Sequence, residues 1–161
     1  MLVPARLTWI VISPFSTVSA IAPGVLGTTG MESAELLVAA VRQIQPDAVI
    51  AVDAVASCEP ERLCAAVQLS TAGITPGSGV GNARAAIDRT TLGVPVLAIG
   101  VPTVMDLGGR RMKDGTIPAG MILTPRDIDA KIKLFGRWIG LGIDLALHEG
   151  LDVETAECFL A

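Results

Sequence analysis

Short β-branched apolar runs alternate along the chain with longer stretches in which apolar residues recur every three or four positions, the pattern of a mostly parallel sheet flanked by helices. Thr17 to Ala22 reads as a strand closed by Pro23-Gly24, and Val25 to Gly30 as a glycine-bearing loop. A helix follows. Thr29 and Glu32 stand in capping-box register, Leu36, Leu37, Ala40, Val41 and Ile44 form one apolar stripe, and Pro46 closes the pattern. In Ala48-Val49-Ile50-Ala51-Val52 every residue is apolar, as in a strand buried on both faces, and this run predicts the central strand, ending at Asp53. Glu59 to Ala66 predicts a short helix, Val67 to Ser70 a short strand, and Val94 to Ile99 a second buried strand ending at Gly100. Thr124-Pro125 opens a long helix to about His148, with Pro where its missing N–H is tolerated and Ile128, Ile132, Phe135, Ile139, Ile143 and Leu147 spaced for the buried face. Leu107 to Thr124, with four charges and four glycines, reads as an exposed loop or hairpin. No linker or repeat divides the chain, so residues 1–161 are expected to form a single domain.

Composition narrows the field. A chain of 161 residues, 51% hydrophobic and 17% charged, is long and apolar enough to bury a core, which excludes disorder of the whole chain. A net charge of -4 without a Lys/Arg cluster supplies no footprint for phosphate backbones, and 3% aromatics with no Tyr leave no stacking platform for single strands. Direct nucleic-acid binding is therefore not expected. Three cysteines without CxxC spacing fit a reducing, cytoplasmic setting better than a disulfide scaffold. Pro, Gly or charge interrupts each apolar run short of the ~20 residues that span a bilayer, so no membrane helix is expected. Arg6, the apolar run Leu7 to Ile12 and Ala20-Ile21-Ala22 have the order of a signal peptide, but Pro14 and the polar stretch Ser13 to Ser19 break it.

Two features bear on chemistry. Asp53 follows five apolar residues, so its carboxylate emerges where open α/β sheets keep their ligands. Desolvation there disfavours the ionised form, as in a general acid or base; equally, the side chain can serve to bond backbone N–H groups of the next turn. The segment Thr75-Pro76-Gly77-Ser78-Gly79-Val80-Gly81-Asn82 has three glycines in five residues, which lets backbone approach an extended peptide closely or simply makes tight turns. As a dinucleotide fingerprint it fails at Asn82, no Walker lysine follows it, and Pro76 excludes Ser78 from a nucleophile elbow. His148 suits the negative end of the last helix, and Cys58 and Cys64 read as packing or incidental thiols. Metal binding is weakly supported, because Asp53, His148 and one further carboxylate make a site only if the fold brings them together, which spacing does not show; no metal and no cofactor are expected.

Four ordered stretches resemble the germination protease (spore protease) family: Ser19-Ala20-Ile21-Ala22-Pro23-Gly24-Val25 with Gly30-Met31-Glu32; Ile50-Ala51-Val52-Asp53-Ala54; Gly73 to Asn82; and Thr91 to Val96 with Ala98 to Val104. The resemblance is close from about Thr17 to Pro102 and weaker near Leu123-Thr124-Pro125 and Ala146-Leu147-His148. It implies a three-layer α/β fold similar to hydrogenase-maturation proteases. It also implies an endopeptidase that degrades small acid-soluble spore proteins in the spore core at germination, made as a zymogen and assembled as a tetramer. The family's chemistry is ascribed to two aspartates, of which Asp53 matches the second, and the resemblance puts Gly77, Ser78, Gly79, Val80, Gly81 and Asn82 at the substrate cleft. The family's other aspartate lies upstream of the Ser19 block, whereas the first acidic residue here is Glu32. Cys58 replaces a family Arg, and Asp106 to Pro118 is shorter than the family's region. The chain thus reads as a C-terminal part or shortened relative of such a protease. The alternative is a catalytically dead remnant that binds peptide or its own kind, with a bared sheet edge favouring self-association.

Overall fold

The computed structural model describes residues 7–11, 17–107, 111–112, 115–116 and 120–159. In chain order the elements are strands β1 (Leu7–Val11) and β2 (Thr17–Ile21), helices α1 (Leu26–Thr29) and α2 (Ser33–Ile44), strand β3 (Ala48–Ser57), a 3-10 turn at Pro60–Arg62, strand β4 (Gln68–Ser70) and a second 3-10 turn at Ser78–Val80. Helix α3 (Arg89–Leu92), strand β5 (Val96–Asp106), the hairpin β6 (Arg111–Met112) and β7 (Gly115–Thr116), strand β8 (Ile122–Leu123), and helices α4 (Ile128–Leu147) and α5 (Val153–Phe159) complete it.

The main sheet runs β2-β1-β3-β5-β4, with β8 also on β5. It is mixed rather than mostly parallel: β3 and β5 are parallel, while β1 runs antiparallel to β2 and β3, and β4 and β8 antiparallel to β5. The cause lies in the connections. A long crossover carries the chain from β3 to β5, as parallel strands need, whereas the five residues between β1 and β2 permit only a reversal.

Leu7–Val11 form β1, an element the sequence pattern does not declare. Val25 to Gly30 is also more ordered than a loop: Leu26–Thr29 make one helical turn, closed by Gly30 at φ 68°. The capping box does not form. Thr29 Oγ1 accepts from the Met31 N–H at 3.2 Å, and Glu32 stands at the N-cap of α2 without a side-chain capping bond. Gln45, in the left-handed region, ends α2, and its N–H donates to the Val41 carbonyl at 2.8 Å.

Both buried strands outrun their predicted ends. β3 continues four residues past Asp53 to Ser57 and β5 continues past Gly100 to Asp106, because Ala54, Val55 and Ala56 extend the pairing onto Val101, Pro102 and Val104. Asp53 is therefore within the strand, opposite Gly100, and not at its end. A side chain at Gly100 would place its Cβ 2.9 Å from Val55 Cγ1, so glycine there lets Val55 lie across β5.

One core cluster joins Ala34, Leu37 and Val41 of α2 to Val49 and Ala51 of β3 and Val96 of β5. Another joins Phe135 of α4, with Ile128 and Ile139 beside it, to Cys64 and Val101. Val96 and Val101 are five residues apart on β5, and strand alternation sends them to different clusters. Leu37 is fully buried, so Leu37→Ala is expected to lower stability by about 2–5 kcal/mol in urea denaturation. Leu134→Ala, on the exposed side of α4, should stay within about 0.5 kcal/mol. Equal losses would contradict this placement of the core.

Candidate functional site

Asp53 shares the parity of Val49 and Ala51, so its side chain leaves β3 on the face that α2 covers. Because α2 runs back along the sheet, its first residues stand over this part of β3. Together they bound a cavity of about 520 Å³, within the ~300–1,000 Å³ usual for ligand pockets. Ala51 to Ala54 form its floor, Pro23 to Gly27 and Glu32 to Ala34 two walls, and the Ile74–Ile87 segment the third.

Asp53 Oδ1 accepts from the Ala54 N–H at 2.8 Å. Burial pushes the Asp53 carboxyl above its ordinary value of 3.8, and the Ala54 N–H opposes this less strongly. The side chain therefore has both properties that its sequence position left open: a bond to a neighbouring N–H and a desolvated carboxyl.

The glycine segment closes on itself. Ile74 and Ile87 exchange hydrogen bonds of 3.0 and 2.8 Å at its neck, the Asn82 N–H donates to the Gly77 carbonyl at 3.0 Å, and Arg84 N–H donates to the Pro76 carbonyl at 2.9 Å. Gly77 has φ 73°, and a Cβ there would run into the Asn82 carbonyl oxygen, so only glycine fits this fold of the loop. Gly77 and Asn82 reach the cavity beside Asp53. Ser78, Gly79, Val80 and Gly81 do not line it; Ser78–Val80 make the 3-10 turn, and Gly79 lies directly against Ala56 of β3.

Arg84 went unmarked in the sequence. Its Nη1 lies 3.2 Å from Glu32 Oε1, and both half-buried side chains line the cavity. The pair ties the loop to the start of α2 across 52 positions, a separation over which no local motif operates. Glu32 thus bonds a guanidinium where a helix cap was expected.

Elsewhere the chemistry-bearing residues stay apart. His148 is exposed at the end of α4, its N–H donating to the Asp144 carbonyl at 3.0 Å, and it does not line the cavity. Cys64 is buried in the left-handed region at φ 50°, its N–H donating to the Pro102 carbonyl at 2.7 Å, and burial pushes its thiol up. Cys58 and Cys158 are exposed. Among the described residues no three His, Cys, Asp or Glu side chains gather to hold a metal, and no helix is long and apolar enough to cross a membrane.

Fold and site define an α/β protein with a desolvated carboxyl on a central strand, facing a cavity walled by a glycine loop. Residues 8–117 match the germination protease family, and the chain belongs to it. It is 39% identical over 173 residues to the germination protease of Caldanaerobacter subterraneus subsp. tengcongensis, covering 84% of this chain and 53% of that protein. It is 46% identical over 123 residues to that of Halalkalibacterium halodurans, covering 76% of this chain and 30% of the relative. For the germination protease of Clostridium tetani the figures are 34% over 181 residues, 89% of this chain and 56% of the relative. The chain thus spans about half the length, or less, of these relatives.

The folded state holds the Asp53 proton more tightly than the unfolded chain. Ionising Asp53 therefore removes stability as pH rises from about 3.8 through its higher folded value, and the loss is complete above that value. Relative to Asp53→Asn, the wild type is expected to lose stability over this window and to run parallel to it below and above. Urea titrations of both proteins across pH check this; a constant difference would contradict the desolvated carboxyl.

Proposed function

We propose that the chain is an endopeptidase domain of the germination-protease type, acting on small acid-soluble spore proteins in the spore core, with Asp53 as one of a carboxylate pair. The observation that carries this is the Asp53 carboxyl, lifted by burial and facing a peptide-sized cavity. In its protonated form, which burial favours, Asp53 donates to the scissile carbonyl oxygen and makes its carbon more electrophilic. Among the described residues Glu32 is the other acid lining the cavity, and as a carboxylate it accepts a proton from the attacking water. Collapse of the resulting gem-diol breaks the C–N bond, sends the Glu32 proton to the leaving amine and returns a hydroxyl proton to Asp53. Gly77 and Asn82 present backbone at the cleft rim, and the turn Ser78–Gly81 behind them sets its shape. The proposal includes a homo-oligomeric assembly and the three-layer arrangement of hydrogenase-maturation proteases. The separate core clusters under α2 and α4 support the latter.

A second function, peptide binding without turnover, is favoured by one observation: Glu32 is already engaged by Arg84. Cleavage of a purified small acid-soluble spore protein, followed by mass spectrometry, separates the two. Turnover that falls by about 100-fold or more in Asp53→Asn, and substantially in Glu32→Gln, is expected of the endopeptidase. Equal turnover by wild type and Asp53→Asn would remove Asp53 from the chemistry, and binding with no cleavage would establish the second function.

A further inference from the structure

The main chain of Glu32 is fixed, but its side chain is held at one point. The Glu32 carbonyl accepts the Glu35 and Leu36 N–H groups at 3.1 and 3.2 Å, which seats the residue at the start of α2. The side chain makes no capping bond to the helix, so several rotatable bonds are restrained by a single partner, Arg84. Neither element needs that ion pair to keep its place. The bonds that close the glycine segment, Ile74 with Ile87, Asn82 with Gly77 and Arg84 with Pro76, all run between main-chain groups. Leu37 and Val41 anchor α2 on the sheet, and a pair this exposed adds little stability. What the pair does determine is where the Glu32 carboxylate lies.

The contact is one-sided. A guanidinium can grip both oxygens of a carboxylate through two parallel N–H bonds. Here Arg84 Nη1 donates to Oε1 at 3.2 Å, and among the described residues no other bond is made to either side chain. Oε2 keeps its lone pairs, on a residue that lines the same cavity as Asp53. A two-oxygen grip would occupy the carboxylate, and no contact at all would leave it to swing. Orientation of this kind carries weight in catalysis, since a misplacement of about 1 Å can lower a rate by ~100-fold.

We propose that Arg84 is a positioning residue: by holding Oε1 alone it fixes the Glu32 carboxylate at the cavity wall and leaves Oε2 to take a proton from the attacking water. That proton passes to the leaving amine as the C–N bond breaks. The chemistry rests on the endopeptidase function proposed above; the orientation of Glu32 by Arg84 does not. Engagement of Glu32 is then a condition of turnover and no obstacle to it.

The test is a double-mutant cycle in the whole chain, with Arg84→Met and Arg84→Lys each made alone and together with Glu32→Gln. Cleavage of a purified small acid-soluble spore protein gives kcat and KM, and three-bond NMR couplings along the Glu32 side chain give its rotamer populations. Arg84→Met is expected to lower kcat by about 10–100-fold, with KM within about threefold of the wild type. In the Glu32→Gln background, where the side chain no longer accepts the proton, the same change should alter kcat by less than about twofold. Arg84→Lys should recover most of the loss, because one N–H bond is within the capacity of an ammonium group. Glu32 should hold one rotamer in the wild type and average over several in Arg84→Met. An equal fall in kcat in both backgrounds assigns Arg84 to the loop, and a raised KM at unchanged kcat assigns it to the substrate; either overturns the proposal. So does a Glu32 rotamer that Arg84→Met leaves fixed. A rotamer that depends on Arg84, in a wild type that does not cleave, upholds the orientation and overturns the endopeptidase function instead.

Discussion

The structure depends on one pairing, the parallel ladder between β3 and β5. Val49 to Val55 match Val96 to Pro102 without a break, and the two strands hold most of the buried residues among those described. In a parallel ladder the side chains of register partners leave the sheet on the same face, so a slip of one residue would carry Asp53 to the face opposite α2. The burial of Val49 and Ala51 against Leu37 and Val41 fixes the register, and the register fixes where the carboxyl points. Gly100 opposite Asp53 and Gly79 against Ala56 are where this ladder demands a missing side chain.

From that pairing the site follows with few additional parts. α2 must run back over β3, which brings its N-terminal residues above Asp53. The Ile74–Ile87 bridge gathers the glycine segment so that its two ends, Gly77 and Asn82, meet the same cavity, and the Glu32–Arg84 ion pair joins that segment to α2. The pair is partly exposed, so its worth lies more in orientation than in stability. The carboxyl raised by burial also accepts from the Ala54 N–H of the same strand.

Much of this was legible where period and burial agree. The stripes of α2 and α4 and the first half of β3 are visible in the sequence because a helix or strand with a well-defined buried face repeats its apolar residues at its own period. What failed were ends and encounters. Asp53 looked like the close of a strand because charge normally marks an edge; where the side chain faces a cavity, a carboxyl is accommodated without stopping the ladder. β1 has five residues and lies next to a polar stretch, too little pattern to declare itself. The bond between Glu32 and Arg84 belongs to tertiary structure alone, and Glu32 therefore resembled a cap. Gly77 to Asn82 were recognisable as a close-approach loop, but which of them face the cavity is decided by the turn at Ser78–Val80.

The central claim is that burial on β3 raises the Asp53 carboxyl above its ordinary value. A carbon-13 NMR titration of the Asp53 side-chain carboxyl in the intact chain tests it most directly. The account predicts a midpoint above 3.8, falling toward that value when the chain is unfolded in urea. A midpoint at or below 3.8 in the folded protein would contradict it.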